Sequence, residues 1–458
     1  MIETNILLEL LPVLMFVLLA VLMLTALPVA FILGGLAVLF AAIGWFFGLF
    51  QFVEYYNLVA RIWRASENLA LIAIPCFIFM GMMLERSEIA KDLLHALQTL
   101  LRRVPGGLAL SITLMSTVMA AITGIVGASV VMMTIIALPT MLRLGYHPAF
   151  ATGTIAASSS LGILIPPSIL LVFMSDMLGI SEGVLFASAL FPGLTLSALY
   201  LVYILGVSIM LPKLAPPTAG REVELPVSEM AQLCAKGIIP PVILIAMVLG
   251  SVFAGVTTIT ESAAIGVLGT VIIAGVRGRL TLSVFNDCLQ RSALMIGMIF
   301  LLFGAAMCFS YTFRILGGDE IVTQLIGVGR LEGWEIMVVL MATIFLMGFF
   351  FDVLEIILVV VPVFAPIVGV LDFGSHVAKE DVIYWFSMLV AVNLQTSFLT
   401  PPMGIALFYM KSAAPKEVKM QQIYLGVIPF VVLQLICVGL VMGFPDLAMW
   451  LPHKLFDY

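Results

Sequence analysis

The chain has 458 residues, of which 63% are hydrophobic and only 10% charged, with a net charge of −6 and a mean hydropathy of +1.23. A soluble domain carries about 25% charged residues, so a soluble fold of this length cannot cover its surface with so few. Soluble enzymes, nucleic-acid binders, secreted disulfide scaffolds and disordered chains are therefore excluded, and most of the chain belongs in a lipid bilayer.

Taken in chain order, the N-terminus (MIETNILLELLP) carries two acids and no basic residue. A cleavable signal peptide would start with a basic region, so the first apolar run is expected to remain as a span. Spans are predicted near 6–25, 28–48, 68–84, 184–211, 237–256, 261–276, 293–312 and 425–444. The segment 51–67 mixes Tyr, Trp, Arg and Glu with aliphatics, and 85–103 repeats leucine at helical spacing. Either could lie flat on the membrane surface or dock another membrane subunit. A polar linker at 212–236 divides the chain into halves, 1–211 and 237–458.

Each half holds two apolar regions that are interrupted. In the first half, 106–142 breaks around 123–129 and 149–178 breaks at SSSLGILIPPS, 158–168. In the second, 336–368 breaks around 347–352 and 383–410 breaks at NLQTSFLTPPMG, 393–404. The order of intact and broken elements matches, and Pro166-Pro167 and Pro401-Pro402 fall at equivalent places. A Pro-Pro pair removes two backbone donors, and in lipid the freed carbonyls need a partner. A single such kink is common in membrane helices. Two matched ones, each preceded by a second break, point to a transporter's ion or substrate site.

With 106–142 and 336–368 as re-entrant hairpins and 149–178 and 383–410 as crossing segments, each half crosses five times. The second half is then inverted relative to the first. Of the 20 basic residues, six (Arg61, Arg64, Arg314, Arg330, Lys379 and Lys454) fall on the N-terminal side, and the other fourteen on the opposite side. The positive-inside rule makes the fourteen-charge side cytoplasmic and places both termini outside.

The breaks offer hydroxyls and unwound carbonyls, the ligands a sodium ion takes without a fixed counter-charge. In the second half Asp352 and Glu355 stand three residues apart, on one helix face if the helix continues, and are candidates for coupling or gating; the bland alternative is a solvated position near the surface. The other polar candidates for contact with solute or for coupling are Ser129, Ser158, Ser159, Ser160, Asn393 and Thr396. The five cysteines form no CxxC pair, the four histidines have no metal-ligand spacing, and no Walker motif is present.

Several segments resemble the large membrane subunit (DctM type) of tripartite ATP-independent periplasmic, or TRAP, transporters. They are IPCFIFMG at 74–81, PGGLA at 105–109, GYHPAF at 145–150, AASSSLGILIPPS at 156–168, LTPPMG at 399–404 and LAMWLP at 447–452. The resemblance implies an all-α polytopic membrane protein of two inverted repeats with re-entrant hairpins and interrupted helices, working as a sodium-driven elevator. It implies two partners: a small four-helix membrane subunit, and a soluble periplasmic binding protein that delivers an organic anion, usually a carboxylate. It places one sodium ion at Ala120, Thr123, Gly162, Ile165 and Pro167, and a second at Ile344, Met347 or Gly348, Ser397, Thr400 and Pro402. The chain departs from the family pattern at Ile125 and Ser129, which stand where the family often has Ser and Asp. The loop 371–381 is also long, on the side where a binding protein would dock. The alternatives are a stand-alone sodium/dicarboxylate carrier, a membrane-embedded enzyme and a passive channel. The histidines at predicted loops and ends argue against the enzyme.

Overall fold

The computed structural model describes residues 10–25, 27–51, 53–123, 126–216, 226–321, 332–402 and 404–456, with the backbone alone at Ala65, Ala70, 121–123 and Val227. The described residues form helices and connecting turns, with no strand among them. In chain order the helices are α1 (Leu11–Met23), α2 (Val29–Phe46), α3 (Val53–Ser66), α4 (Ala73–Arg86), α5 (Ile89–Leu101), α6 (Gly107–Thr123), α7 (Val126–Arg143), α8 (Pro148–Ser160), α9 (Ile169–Leu178) and α10 (Glu182–Met210). They continue with α11 (Val227–Phe253), α12 (Ile259–Val276), α13 (Leu282–Ile315), α14 (Gly333–Met347), α15 (Val353–Val368, with a π turn at Ile356–Val360), α16 (Val382–Leu394), α17 (Ile405–Ala413), α18 (Met420–Gly443) and α19 (Asp446–Phe456).

Among the described residues, seven helices are long and apolar enough to cross a membrane: α2, α7, α10, α11, α12, α13 and α18. Their outward faces carry unpartnered Leu, Ile, Val and Phe, as a lipid-facing surface requires. The segment 293–312 is the middle of the 34-residue α13. The run 68–84 opens with a 3-10 turn, Leu69–Ile72, before α4. α7, in the region 106–142 expected to form a re-entrant hairpin, has 18 residues that span roughly 27 Å, close to a hydrocarbon core.

Two expectations need correction. The linker does not reach 236, because α11 begins at Val227. Pro226 sets the entry, and Met, Ala, Gln, Leu and Lys after it all favour helix without needing lipid. The segment 85–103 does not lie free on the surface. Its helix α5 buries Leu93 and Leu94 and packs between α6 and α11. Gly237 permits this, since a Cβ there would fall 2.6 Å from the Asp92 carbonyl oxygen. The long loop 371–381 is packed at its aromatic residues. Phe373 and His376 stack edge-on against Trp334 at 5.2 and 4.8 Å, and a His376 ring nitrogen meets the Met442 carbonyl at 2.9 Å. By contrast α3 leaves Tyr56, Val59 and Trp63 exposed, one stripe at helical spacing. It is tied to α13 by the Tyr311 hydroxyl donating to Glu54 and by Arg61 lying 4.9 Å over the Tyr311 ring.

The element order repeats. α8 and α16 each run 13 residues, each is followed by a three-residue 3-10 turn, then a cis Pro-Pro bond, then a short helix of 10 or 9 residues (α9, α17), then a long span (α10, α18). The halves do not stand apart. α8 packs along α18, α2 along α13, α4 along α12 and α5 along α11. The α8–α18 contact is backbone on backbone: a Cβ on Gly153 would lie 2.0 Å from the Gly426 carbonyl oxygen. The broken segments sit at the centre of the bundle, with every residue of 150–175 and of 384–400 buried. The ends of unwound backbone are thereby kept from lipid, as their polar groups demand.

Candidate cation and solute site

Proline has no N–H, so in a continuous helix it leaves the carbonyl four residues back without a donor. Pro166 and Pro167 strip Gly162 and Ile163; Pro401 and Pro402 strip Ser397 and Phe398. The Ser168 hydroxyl donates to the Ile163 carbonyl and repairs that loss. Gly162 and Ser397 occupy the same place in the two halves, and both lie in the proposed cation sets.

At the first set, Gly162 meets Ala120, with a Cβ on Gly162 falling 3.7 Å from the Ala120 Cα. Thr123 closes α6 three residues on; its side chain, with 124–125, lies outside the described residues. Ile165 backs onto Gly193 of α10, and Pro167 is buried beside it. At the second set, Gly348 meets Ser397, since a Cβ on Gly348 would fall 2.0 Å from its Oγ. Ile344 and Met347 are the last turn of α14, with Ile344 fully buried. Thr400 closes the loop by donating to the Thr396 carbonyl at 3.0 Å. The two sets differ in access, since Pro166 and Pro167 are buried whereas Pro401 and Pro402 are exposed.

Among the described residues, both sets adjoin buried oxygens without a partner. The Ser397 hydroxyl lacks one at the second, and the Ser116 and Ser159 hydroxyls lack one at the first, a turn before Ala120 and three residues before Gly162. An unsatisfied buried hydroxyl costs about 1–3 kcal/mol, so these positions favour an ion or water. Hydroxyl and carbonyl oxygens are the donors a small alkali cation takes, so the residues fit sodium. The helices that end here, α6, α8, α14 and α16, add the partial negative charge of their C-termini.

The other polar candidates divide. Ser158 and Thr113 pair hydroxyl to hydroxyl at 2.8 Å, and the Ser160 and Thr396 hydroxyls donate within their own helix turns. The Asn393 amide donates to the Met341 carbonyl at 2.8 Å, tying α16 to α14. These four residues build the site rather than face it. Asp352 and Glu355 form a reciprocal cap on α15: each side chain accepts from the other's backbone N–H, with Asp352 N donating to Glu355 Oε2 at 3.1 Å. Their three-residue spacing is thus a capping box, and neither is a solvated surface acid.

One cavity of about 960 Å³ draws on all four breaks. Val126, Gly127 and Ala128 line it from the first turn of α7, Ile169 and Leu170 from α9, Val353 and Leu354 from α15, and Ile405 from α17. Ile163 and Phe398 reach it from the two 3-10 turns, and Asp352 from the cap. The termini sort themselves: the four helix ends at the cation sets are C-terminal, and the four at the cavity are N-terminal. N-terminal ends carry partial positive charge, which suits an anion; at α15 that charge is already met by the Asp352–Glu355 cap, which leaves the ends of α7, α9 and α17. Glu85, Arg86, Glu88, Lys91 and Arg291 form the charged edge of the cavity. There Arg86 and Arg291 both pair with Asp287, and Lys91 with Glu88 at 3.2 Å. The Lys91 hydrogen bond holds the Glu88 carboxyl below its ordinary range, helped by Arg279 and Arg277. Sequence reading passed over Ser116 and Glu85. Ser116 was findable as the residue one turn before Ala120; an acid ending an apolar run reads as solvated.

The sequence pattern of the DctM component of tripartite ATP-independent periplasmic transporters matches residues 16–447. The "C4-dicarboxylate TRAP transporter large permease protein DctM" of Pseudomonas aeruginosa is 26% identical over 405 residues, 87% of this chain and 90% of that one. The "Isethionate TRAP transporter permease protein DctMQ" of Oleidesulfovibrio alaskensis is 29% identical over 388 residues, 84% of this chain and 58% of that longer one. Among solved structures, the YdaH transporter of Alcanivorax borkumensis superposes with a TM-score of 0.56 over 85% of this chain and 87% of that one, at 12% identity. At that identity the likeness concerns the fold alone.

Proposed function

We propose, since this chain belongs to the DctM family of TRAP transporters, that it moves an organic anion inward across the membrane, driven by sodium flowing inward down its gradient. Family membership makes it a permease subunit and a secondary transporter, not an enzyme. The observation that carries the finer reading is the sorting of helix ends. Four N-termini line one cavity, and the four facing C-termini adjoin unpartnered oxygens. An anion in the cavity and sodium at the two cation sets would each lie at helix ends of the opposite partial charge. Sodium, when bound, supplies the gradient's driving force. The chain holds it with main-chain oxygens of Ala120, Gly162 and Ser397, aided by nearby hydroxyls.

The repeated element order supports two inverted repeats, and the exposure difference between the two Pro-Pro loops supports a transport unit that meets the two membrane faces in turn. The partners are a small membrane subunit, as the fused name DctMQ suggests, and a soluble binding protein. The solute stays at the level of a small organic acid, because relatives of similar identity are named for C4-dicarboxylates and for isethionate.

The test is uptake of labelled carboxylates by the subunit pair in proteoliposomes, with and without the binding protein. Uptake is expected to require sodium outside and the binding protein. Equal rates in potassium and sodium would overturn the coupling, and full uptake without the soluble protein would favour the stand-alone carrier.

A further inference from the structure

Two small voids stand between the large cavity and the first cation set. Each holds about 10 Å³, close to one water. The outer is lined by Gly81, Met82, Glu85, Met119, Ala128 and Ser129 among others. The inner is lined by Ser116, Met119, Ala120, Ser129, Ser159 and Gly162 among others. Glu85, Met82 and Ala128 also line the large cavity, so the outer void shares a wall with it. Met119, Ser129 and Met132 are the shared wall of the two voids, and Met132 lines the large cavity as well. The inner void touches Ala120 and Gly162, and the buried Ser116 and Ser159 hydroxyls on its wall have no hydrogen-bond partner among the described residues.

The remaining wall is largely methionine, which is unbranched and shifts rotamer readily. A cation leaving the inner void therefore meets a narrow apolar gap with hydroxyls at one end and a carboxylate at the other. Glu85 is not taken up by its basic neighbours. The Arg86 and Arg291 guanidinium groups both pair with Asp287 and act on Glu85 from a distance.

We propose that the two voids are the exit by which the coupling cation passes from the first site to the large cavity, with Ser129 as the intermediate oxygen and Glu85 as the receiving carboxylate. This rests on the sodium reading above. The chemistry required is modest: no bond is made or broken, and a desolvated monovalent cation exchanges one oxygen ligand for the next. An opposite charge within about 4–6 Å shifts a neighbouring ionic equilibrium by roughly tenfold or more.

The first experiment is sodium-dependent uptake by the reconstituted complex. Glu85→Gln is expected to slow uptake about tenfold and to raise the half-saturating sodium concentration. Glu85→Asp should keep most of the activity, and Glu417→Gln, an exposed acid elsewhere, should match wild type. Unchanged sodium dependence in Glu85→Gln would overturn the proposal. The second experiment does not depend on transport. In a background without the five native cysteines, Ser129→Cys is treated with cationic and with anionic methanethiosulfonate reagents. The cationic reagent should react faster, and Glu85→Gln should abolish that preference; equal reactivity with Glu85 in place would also overturn it. If wild type shows no sodium dependence while the reagent preference holds, the sodium reading fails and the passage stands as a cation path.

Discussion

Gly348 and Ser397 reach the second cation set from different elements, and only the absence of a side chain on one makes room for the other. A Cβ at Gly348 would overlap the Ser397 hydroxyl at 2.0 Å, with the Phe345 carbonyl behind it at 3.3 Å. The backbone at Gly348 is ordinary right-handed helix, so the glycine is there for space rather than for conformational freedom. Gly348→Ala is expected to cost about 1–3 kcal/mol by overpacking and to abolish sodium-dependent uptake. In a Ser397→Gly background the same substitution should cost almost nothing more in stability, a coupling that thermal unfolding of the four proteins measures. Additive losses would mean that the two residues do not meet. Sequence alone suggested Gly348 only as an alternative to Met347, because no periodicity reveals which residue of a break faces the opposite segment. The acids show the same limit. Asp352 and Glu355 were legible as a pair with a shared face, but their spacing is also that of a capping box. Only the fold shows the pair closing α15, with Asp352 at the cavity wall.

At the scale of elements, the contact of α8 with α18 is governed by small residues. Gly153 and Gly426 let two backbones touch, the usual device where lipid offers no hydrophobic drive. Gly153→Ala is expected to destabilise the purified protein by about 1–3 kcal/mol, since its new methyl meets backbone that cannot rotate away. Gly250→Ala on α11 meets nothing within 4 Å and should be neutral or stabilising by up to about 1 kcal/mol, because alanine is the better helix former. Thermal unfolding in one detergent gives both signs, and a neutral Gly153→Ala would contradict the close approach. The breaks themselves were readable, since helices end at Thr123, Ser160, Met347 and Leu394 inside the expected regions. A Pro-Pro pair is not sufficient for a break, however. Pro240-Pro241 lies inside the unbroken α11. There the flanks are Ile, Val and Leu, and the helix is long enough to survive two lost bonds. At the functional pairs, Ser, Thr and Gly offer the backbone other partners.

Across the whole molecule, the halves interlace, so each half's broken segments are held by spans of the other. Orientation remains a matter of charge: fourteen basic residues fall on one assigned side and six on the other. Single cysteines at Lys213 and at Glu380 are expected to label from opposite faces in intact cells, Glu380 from outside. Labelling of both from one face would overturn the ten-crossing arrangement with two re-entrant hairpins.

The sequence by itself determined that the chain is an apolar, multi-span membrane protein, where its helices break and to which family it belongs. Each of those rests on local composition, on the missing N–H of proline, or on contiguous motifs, and all can be read along one dimension. Only the tertiary structure decided that α5 is packed rather than floating and that Asp352 and Glu355 cap a helix. It also decided that four N-termini share one cavity, and that Glu85 adjoins a void leading toward Gly162. Those facts depend on which faces meet across the bundle. Segments hundreds of residues apart carry no local sign of the neighbour that packing will give them.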